Sequence, residues 1–260
     1  MILSKLNIKE IKKDILQNGH SKVFKLFDEK YLKNISPIVS QYQKKIEGSH
    51  DNKIHREVEK FFSEKKLKNI GSEHNYKNHF LPFFQKVFDN KNIKKFPIAD
   101  FYLRINYHRL KHFYTKWHQD TGTFLFHPSK FWNMKSYTIW ISLTQCDEQN
   151  SLEIMQDSIY KNQLFNSVFI KSPRHGNYLF YETKFNKLNN KTIKIKCPAG
   201  HAVIFDSLCM HRTIKLPNSK FRASCDMRFY IEDNKIPKIG FKNKLKRFLF
   251  EKFNFKLYKF

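Results

Sequence analysis

Apolar positions recur at two different spacings along this chain. Over residues 7–17, Ile8, Ile11, Ile15 and Leu16 fall three and four apart, the spacing of one helix face. Asn7 is placed to cap that helix and Asn18-Gly19 to stop it. Val23, Phe24, Leu26 and Phe27 read as a short strand, and Asp28 opens a second helix carrying Tyr31, Leu32 and Ile35. The polar stretch from Lys44 to Ser72 holds Val58, Phe61, Phe62 and Leu67, enough for one amphipathic helix. Phe80-Leu81-Pro82-Phe83-Phe84 predicts another helix, with its proline tolerated in the first turn. Beyond residue 100 the pattern alternates. Strands are predicted at 101–107, 137–143, 202–206 (entered through the turn Pro198-Ala199-Gly200) and 222–231. Residues 156–192 read as one long irregular segment, of the kind that serves as a lid, with Arg174, His175 and Tyr181 as its candidate contacts. The tail returns to helical spacing, with Phe241, Leu245, Phe248, Leu249, Phe253, Leu257 and Phe260 interleaved with lysines and Arg247.

With 260 residues and 40% hydrophobic content, the chain can bury one good-sized core, which excludes a disordered protein. Its 49 basic residues against 23 acidic give a net charge of +26. That excess has two readings of equal weight. One is attraction to an anionic partner; the other is the Lys-, Asn-, Ile- and Phe-rich usage of an AT-rich genome. Cys146, Cys197, Cys209 and Cys225 lack the spacing of a structural zinc site and suit a reducing compartment. No signal peptide or membrane-spanning run is read, so the expected location is cytoplasmic. The basic amphipathic tail has two readings, docking on the domain's own surface or peripheral contact with an anionic membrane.

The chemistry centres on Trp117-His118-Gln119-Asp120 and, some ninety residues later, Met210-His211-Arg212-Thr213. On an extended strand His118 and Asp120 would point the same way. A distant His211 would complete a two-histidine, one-carboxylate cap, the ligand set of non-haem Fe(II) oxygenases. Arg222 follows His211 by eleven positions (222 − 211 = 11). His108 and His112, four apart, form a competing pair if helical, but their place between strands predicts a loop.

From about residue 100 to 231 the chain resembles the phytanoyl-CoA dioxygenase family of Fe(II)/2-oxoglutarate oxygenases. That family carries His-x-Asp, a distal His and an Arg eleven positions later, here His118, Asp120, His211 and Arg222. The resemblance implies an α+β fold with a mainly β core. That core is a double-stranded β-helix (jelly roll, cupin-like), with N-terminal helices and a C-terminal amphipathic helix. It places a single domain over residues 1–235 and a tail over 236–260. It implies Fe(II) held by His118, Asp120 and His211, with 2-oxoglutarate as cosubstrate and O2 as co-reactant. Arg222 would grip the far carboxylate of 2-oxoglutarate, since guanidinium pairs with carboxylate bidentately. Thr213 and Thr121 stand where the family often places hydroxyls on the cosubstrate, and Arg104 and Asn106 resemble its upstream Arg-x-Asn. The chain departs from the family at Asn150-Ser151 and Asp157-Ser158-Ile159, where a Gly and a further His are missing.

The implied activity is hydroxylation, because Asp120 fills the ligand position that related halogenases leave without a carboxylate. The substrate class favoured by the positive charge is an anionic small molecule. A non-catalytic jelly roll that binds a small molecule or sugar is the alternative, and it has no need of those four residues together. A nucleic-acid-binding module rests on charge alone, so no specific nucleic acid is expected.

Overall fold

The computed structural model describes residues 6–96, 101–110, 115–123, 134–156, 167–171, 179–183, 191–214 and 220–235. The tail at 241–260, together with Arg174, His175 and His112, lies outside them. The first helix, α1 (Ile8–Asn18), begins where the Asn7 side chain accepts the Glu10 amide at 3.3 Å. It ends at Gly19, whose φ of 77° lets its N–H turn back onto the Ile15 carbonyl. After the two-residue strand β1 (Phe24–Lys25), the Asp28 carboxylate caps α2 (Glu29–Gly48) through the Tyr31 amide at 2.7 Å.

The Lys44–Ser72 stretch differs from the single helix its pattern predicts. It contains the end of α2, then α3 (Asp51–Ser63), α4 (Lys65–Lys68) and a 3₁₀ turn at Asn69–Gly71. Extended backbone at Ser49, His50 and Glu64 breaks it up, yet Ile54, Val58, Phe61 and Leu67 still share one buried surface. α5 (Glu73–Asn75) and a wide turn at Tyr76–Phe80 lead into α6 (Leu81–Phe88), with Pro82 in its first turn.

The strands follow as β2 (Ile93–Lys95), β3 (Phe101–Asn106), β4 (Met134–Ser142), β5 (Leu152–Met155), β6 (Ser167–Lys171), β7 (Leu179–Thr183), β8 (Thr192–Ile195), β9 (His201–Asp206), β10 (His211–Thr213) and β11 (Arg222–Lys235). The short helix α7 (Asp120–Thr123) lies between β3 and β4. The larger sheet runs β1-β9-β4-β11-β2, with β3 sharing the β2 edge of β11, and the smaller runs β10-β5-β8. Every pairing is antiparallel. The architecture is the jelly roll with helical additions. β6 and β7 pair with each other, so the 156–192 segment contains a hairpin rather than irregular chain throughout, and Tyr181 sits opposite Phe169 in it.

Strand alternation divides the larger sheet into two unlike faces. On one, Tyr137, Ile139, Ile141, Ala202, Ile204, Ala223, Cys225, Met227, Phe229 and Ile231 pack against the helices in the main core. Phe84 of α6 stacks on Phe229, ring centroids 3.7 Å apart. On the other face Trp140, Val203 and Phe205 meet Leu152, Ile154 and Ile195 of the smaller sheet. Between the sheets, β11 contributes Arg222, Ser224, Asp226 and Arg228, all buried. A jelly-roll interior lined by two arginines and an aspartate on one strand is not a packing solution. Buried charges of this number need partners, from the protein or from a ligand.

Candidate metal centre

His118 and His211 are brought together by the backbone itself. They form an antiparallel bridge, each amide donating to the other's carbonyl at 3.0 Å, and their rings lie 4.2 Å apart. Asp120 does not continue that bridge as a strand, correcting the extended reading of His118-Gln119-Asp120. It is the first residue of α7. The reason is local. The Gln119 amide group donates to the Leu208 carbonyl at 2.7 Å and the Thr121 amide to the Ser207 carbonyl at 3.1 Å, so this stretch is sewn to the turn before β10 instead of to a strand. That turn is propped from behind by the end of α1, where the Gly19 carbonyl accepts the Asp206 amide at 2.8 Å and the Cys209 thiol at 3.1 Å.

The donor atoms are chosen by hydrogen bonding. His118 Nδ1 lies 2.8 Å from the Lys116 carbonyl and His211 Nδ1 3.0 Å from the Cys209 carbonyl. A carbonyl only accepts, so each Nδ1 carries a proton, and Nε2 is the nitrogen left to offer a lone pair to a metal. Those two Nε2 atoms are 3.6 and 3.9 Å from Asp120 Oδ1. All three residues are buried, and their ligand atoms lie within 4.8 Å of one another. Burial, followed by the neighbouring His118, pushes the His211 pKa down to about 3, which keeps its ring neutral as a ligand must be. Burial works to raise the Asp120 pKa, but Arg228 and then His118 outweigh it and hold the carboxyl well below its ordinary range. Two neutral imidazoles and one carboxylate, all pointing at one spot, fit a divalent iron.

Arg222 lies on the same inner face. It is buried at 2% exposure, with Nη1 donating to the Asn150 carbonyl at 2.7 Å and its guanidinium 5.5 Å from the Trp140 ring centre. Its Nε has no partner, and among the described residues no carboxylate lies within ion-pair distance of it. Burial makes its charge costly and lowers its pKa. Ser224, two positions on, also holds a buried hydroxyl without a partner. A buried cation with a spare donor, beside an unsatisfied hydroxyl, fits a carboxylate that arrives from outside the protein.

The remaining expected contacts divide. Thr213 shares its strand face with His211 and points inward. Thr121 is buried, but its hydroxyl donates to Ser207 at 2.9 Å. Arg104 is ion-paired to Asp226, and Asn106 donates to the Ile214 carbonyl at 3.0 Å while its Oδ1 stays unpartnered. His108 stands in a turn after β3, as the loop reading expects. Two further residues act on Asp120. Arg228 Nη2 donates to Oδ1 at 2.8 Å and Nε to Oδ2 at 3.2 Å, and the Thr138 hydroxyl donates to Oδ2 at 2.5 Å. The even spacing of Arg222 and Arg228 on one strand places both on one face, but only the fold shows that the second meets Asp120.

The family model described as phytanoyl-CoA dioxygenase (PhyH) matches residues 17–224. No curated protein matches the sequence. Solved structures share the fold at low identity. The epimerase SnoN, in complex with Fe3+, alpha ketoglutarate and nogalamycin RO, is 10% identical with a TM-score of 0.55, covering 86% of this chain and 83% of its own. EvdO2 from Micromonospora carbonacea var. aurantiaca, complexed with 2-oxoglutarate, is 12% identical with a TM-score of 0.56, covering 90% and 94%. The carbocyclase SnoK from nogalamycin biosynthesis is 10% identical with a TM-score of 0.55, covering 95% and 93%.

Proposed function

The chain belongs to the phytanoyl-CoA dioxygenase family, and on that premise we propose that it hydroxylates an anionic small molecule at the expense of 2-oxoglutarate and O2. Iron and 2-oxoglutarate are its cofactors. Together they supply the oxidative decarboxylation and the oxidising power, and the protein supplies placement and a dry cavity. His118, Asp120 and His211 would hold the iron on one side and leave the other side open. Arg222 would take the far carboxylate of 2-oxoglutarate, with the buried hydroxyls of Ser224 and Thr213 as further candidate donors.

The observation that carries this reading is the pairing of a preformed donor cluster with a buried guanidinium that lacks a carboxylate partner. A jelly roll that only binds sugar needs neither. Asp120 supports hydroxylation over halogenation, because a carboxylate fills the position a halide would need. SnoN and SnoK are named as an epimerase and a carbocyclase, so the product must be identified and not only the co-product. The substrate's negative charge is supported by the excess of basic residues.

The test is anaerobic reconstitution with Fe(II) and 2-oxoglutarate, followed by admission of oxygen and measurement of succinate. Wild-type protein is expected to release succinate, increasingly so when a hydroxylatable anionic metabolite is supplied. H118A and H211A are expected at background. Wild-type succinate yield from either variant would exclude the assigned site.

A further inference from the structure

Arg228 lies four residues beyond the end of the family match (228 − 224 = 4). It sits six residues from Arg222 on the inner face of β11, and the two arginines are used in opposite ways. Arg222 has a spare buried donor, whereas Arg228 is committed. The residue is 5% exposed and its guanidinium closes on both oxygens of Asp120, while Thr138 holds Oδ2 from β4. Tyr102 lies beneath it, ring centre 5.4 Å away, and stacks on Arg104 as well, at 5.5 Å. Arg104 is in turn paired with Asp226. Arg228 is therefore wedged in place from several sides, and it fixes which edge of the carboxylate meets the imidazoles. Oδ2 is taken up by Thr138 and Arg228 Nε, and Oδ1 is the oxygen turned to His118 and His211.

A carboxylate this deeply buried needs a cation. In a site whose only cation is the metal, loss of the metal leaves that charge bare and the ligand cluster falls apart. Here a second cation is built into the neighbouring strand. We propose that Arg228 is the resident counter-cation of the metal site, the charge that neutralises Asp120 before the metal arrives. The proposal rests on the reading of His118, Asp120 and His211 as metal ligands. One consequence is specific to it. The arriving ion meets a carboxylate that is already neutralised, so metal binding stabilises the wild-type fold less than it would if Asp120 stood alone.

The experiment uses the full chain stripped of metal with a chelator, unfolded thermally with and without Co(II) under exclusion of oxygen. Wild-type protein is expected to melt at a higher temperature with Co(II). R228M is expected to melt well below wild type without metal, and its rise on adding Co(II) should exceed the wild-type rise by roughly 5 °C or more, because the ion then replaces the lost cation. R228K, which keeps the charge but not the two-point grip, is expected to fall between them. An arginine that merely packs would lower both melting temperatures together, and an unchanged or smaller rise in R228M would overturn the proposal. Should R228M fail to fold with and without Co(II), R228Q decides, and a rise no larger than that of wild type overturns it. If Co(II) leaves wild-type melting unchanged, the metal-site reading itself fails, which separates the two. Succinate release plays no part in this comparison.

Discussion

At the scale of single residues, the buried charges between the sheets explain one another. Asp120 is held by Arg228 and Thr138 and Asp226 by Arg104, with its Oδ1 left unpartnered. Arg222 has, among the described residues, the Asn150 carbonyl, the Trp140 ring and the neighbouring Cys146 thiol but no ion-paired carboxylate. Leaving a guanidinium short of a partner in the interior is expensive, and a chain tolerates it where a ligand completes the pair. R222M should therefore damage cosubstrate binding far more than metal binding. Truncating one member of a desolvated charge pair costs about 2–5 kcal/mol, which corresponds to a rise of about thirty-fold or more in the 2-oxoglutarate concentration for half-maximal succinate release. Co(II) binding by the same variant should stay near wild type. Equal loss of both would assign Arg222 to the fold and not to the cosubstrate.

At the scale of elements, the site depends on turns as much as on strands. The turn Pro198-Ala199-Gly200 was legible from its residue types, and its geometry shows why glycine is needed. Gly200 adopts a φ of 75°, its amide donates to the Ser142 carbonyl at 2.8 Å, and its own carbonyl accepts the amides of Leu26 and Phe27, both at 2.9 Å. One residue thus joins β4, β9 and the chain entering α2. A Cβ there would sit 2.7 Å from Leu32 Cδ2, a flexible contact that can yield, but the left-handed backbone cannot. G200A is expected to lose about 1–3 kcal/mol of stability, visible as a lower midpoint in thermal or denaturant unfolding, with unchanged succinate release per folded molecule. The His118–Asp120 segment teaches the opposite lesson. Its pattern reads as extended chain, and the side chains do converge, but through a bridge followed by a helical turn whose hydrogen bonds lie on residues 207 and 208.

For the whole molecule, the two faces of the larger sheet carry separate duties. The helical layer supplies most of the apolar burial that holds the sheet, and the opposite face combines a smaller apolar cluster with the buried charges of β11. Phe84 marks this division, fully buried on α6 and stacked on Phe229, whose strand carries Arg228 on its opposite face. F84A should cost about 3–5 kcal/mol through lost burial and the cavity it leaves, read as a large drop in the unfolding midpoint. Because Phe84 packs in the main core on the Phe229 face of β11, opposite to Arg228, Co(II) should still raise the melting temperature of the folded variant by the wild-type amount. Failure of Co(II) to stabilise F84A would mean that the helical layer and the metal site are not separable. No helix among the described residues is long and apolar enough to cross a membrane.

The sequence by itself determined the parts that depend on residue type and short-range spacing. These are the helix starts at Asn7 and Asp28, the alternation of β4, β9 and β11, the glycine turns, and the candidate ligand residues His118, Asp120, His211 and Arg222. Local physics decides these, since caps, pleats and donor chemistry act within a few residues. Only the tertiary structure decided which buried charges meet. The grip of Arg228 and Thr138 on Asp120, the removal of Arg104 into a pair with Asp226, the tie between Thr121 and Ser207, and the reach of Arg222 to the Asn150 carbonyl all join residues from separate strands or turns. Their partners are set by sheet register, and register is fixed by burying one face of each strand against the core, which no single stretch of chain records.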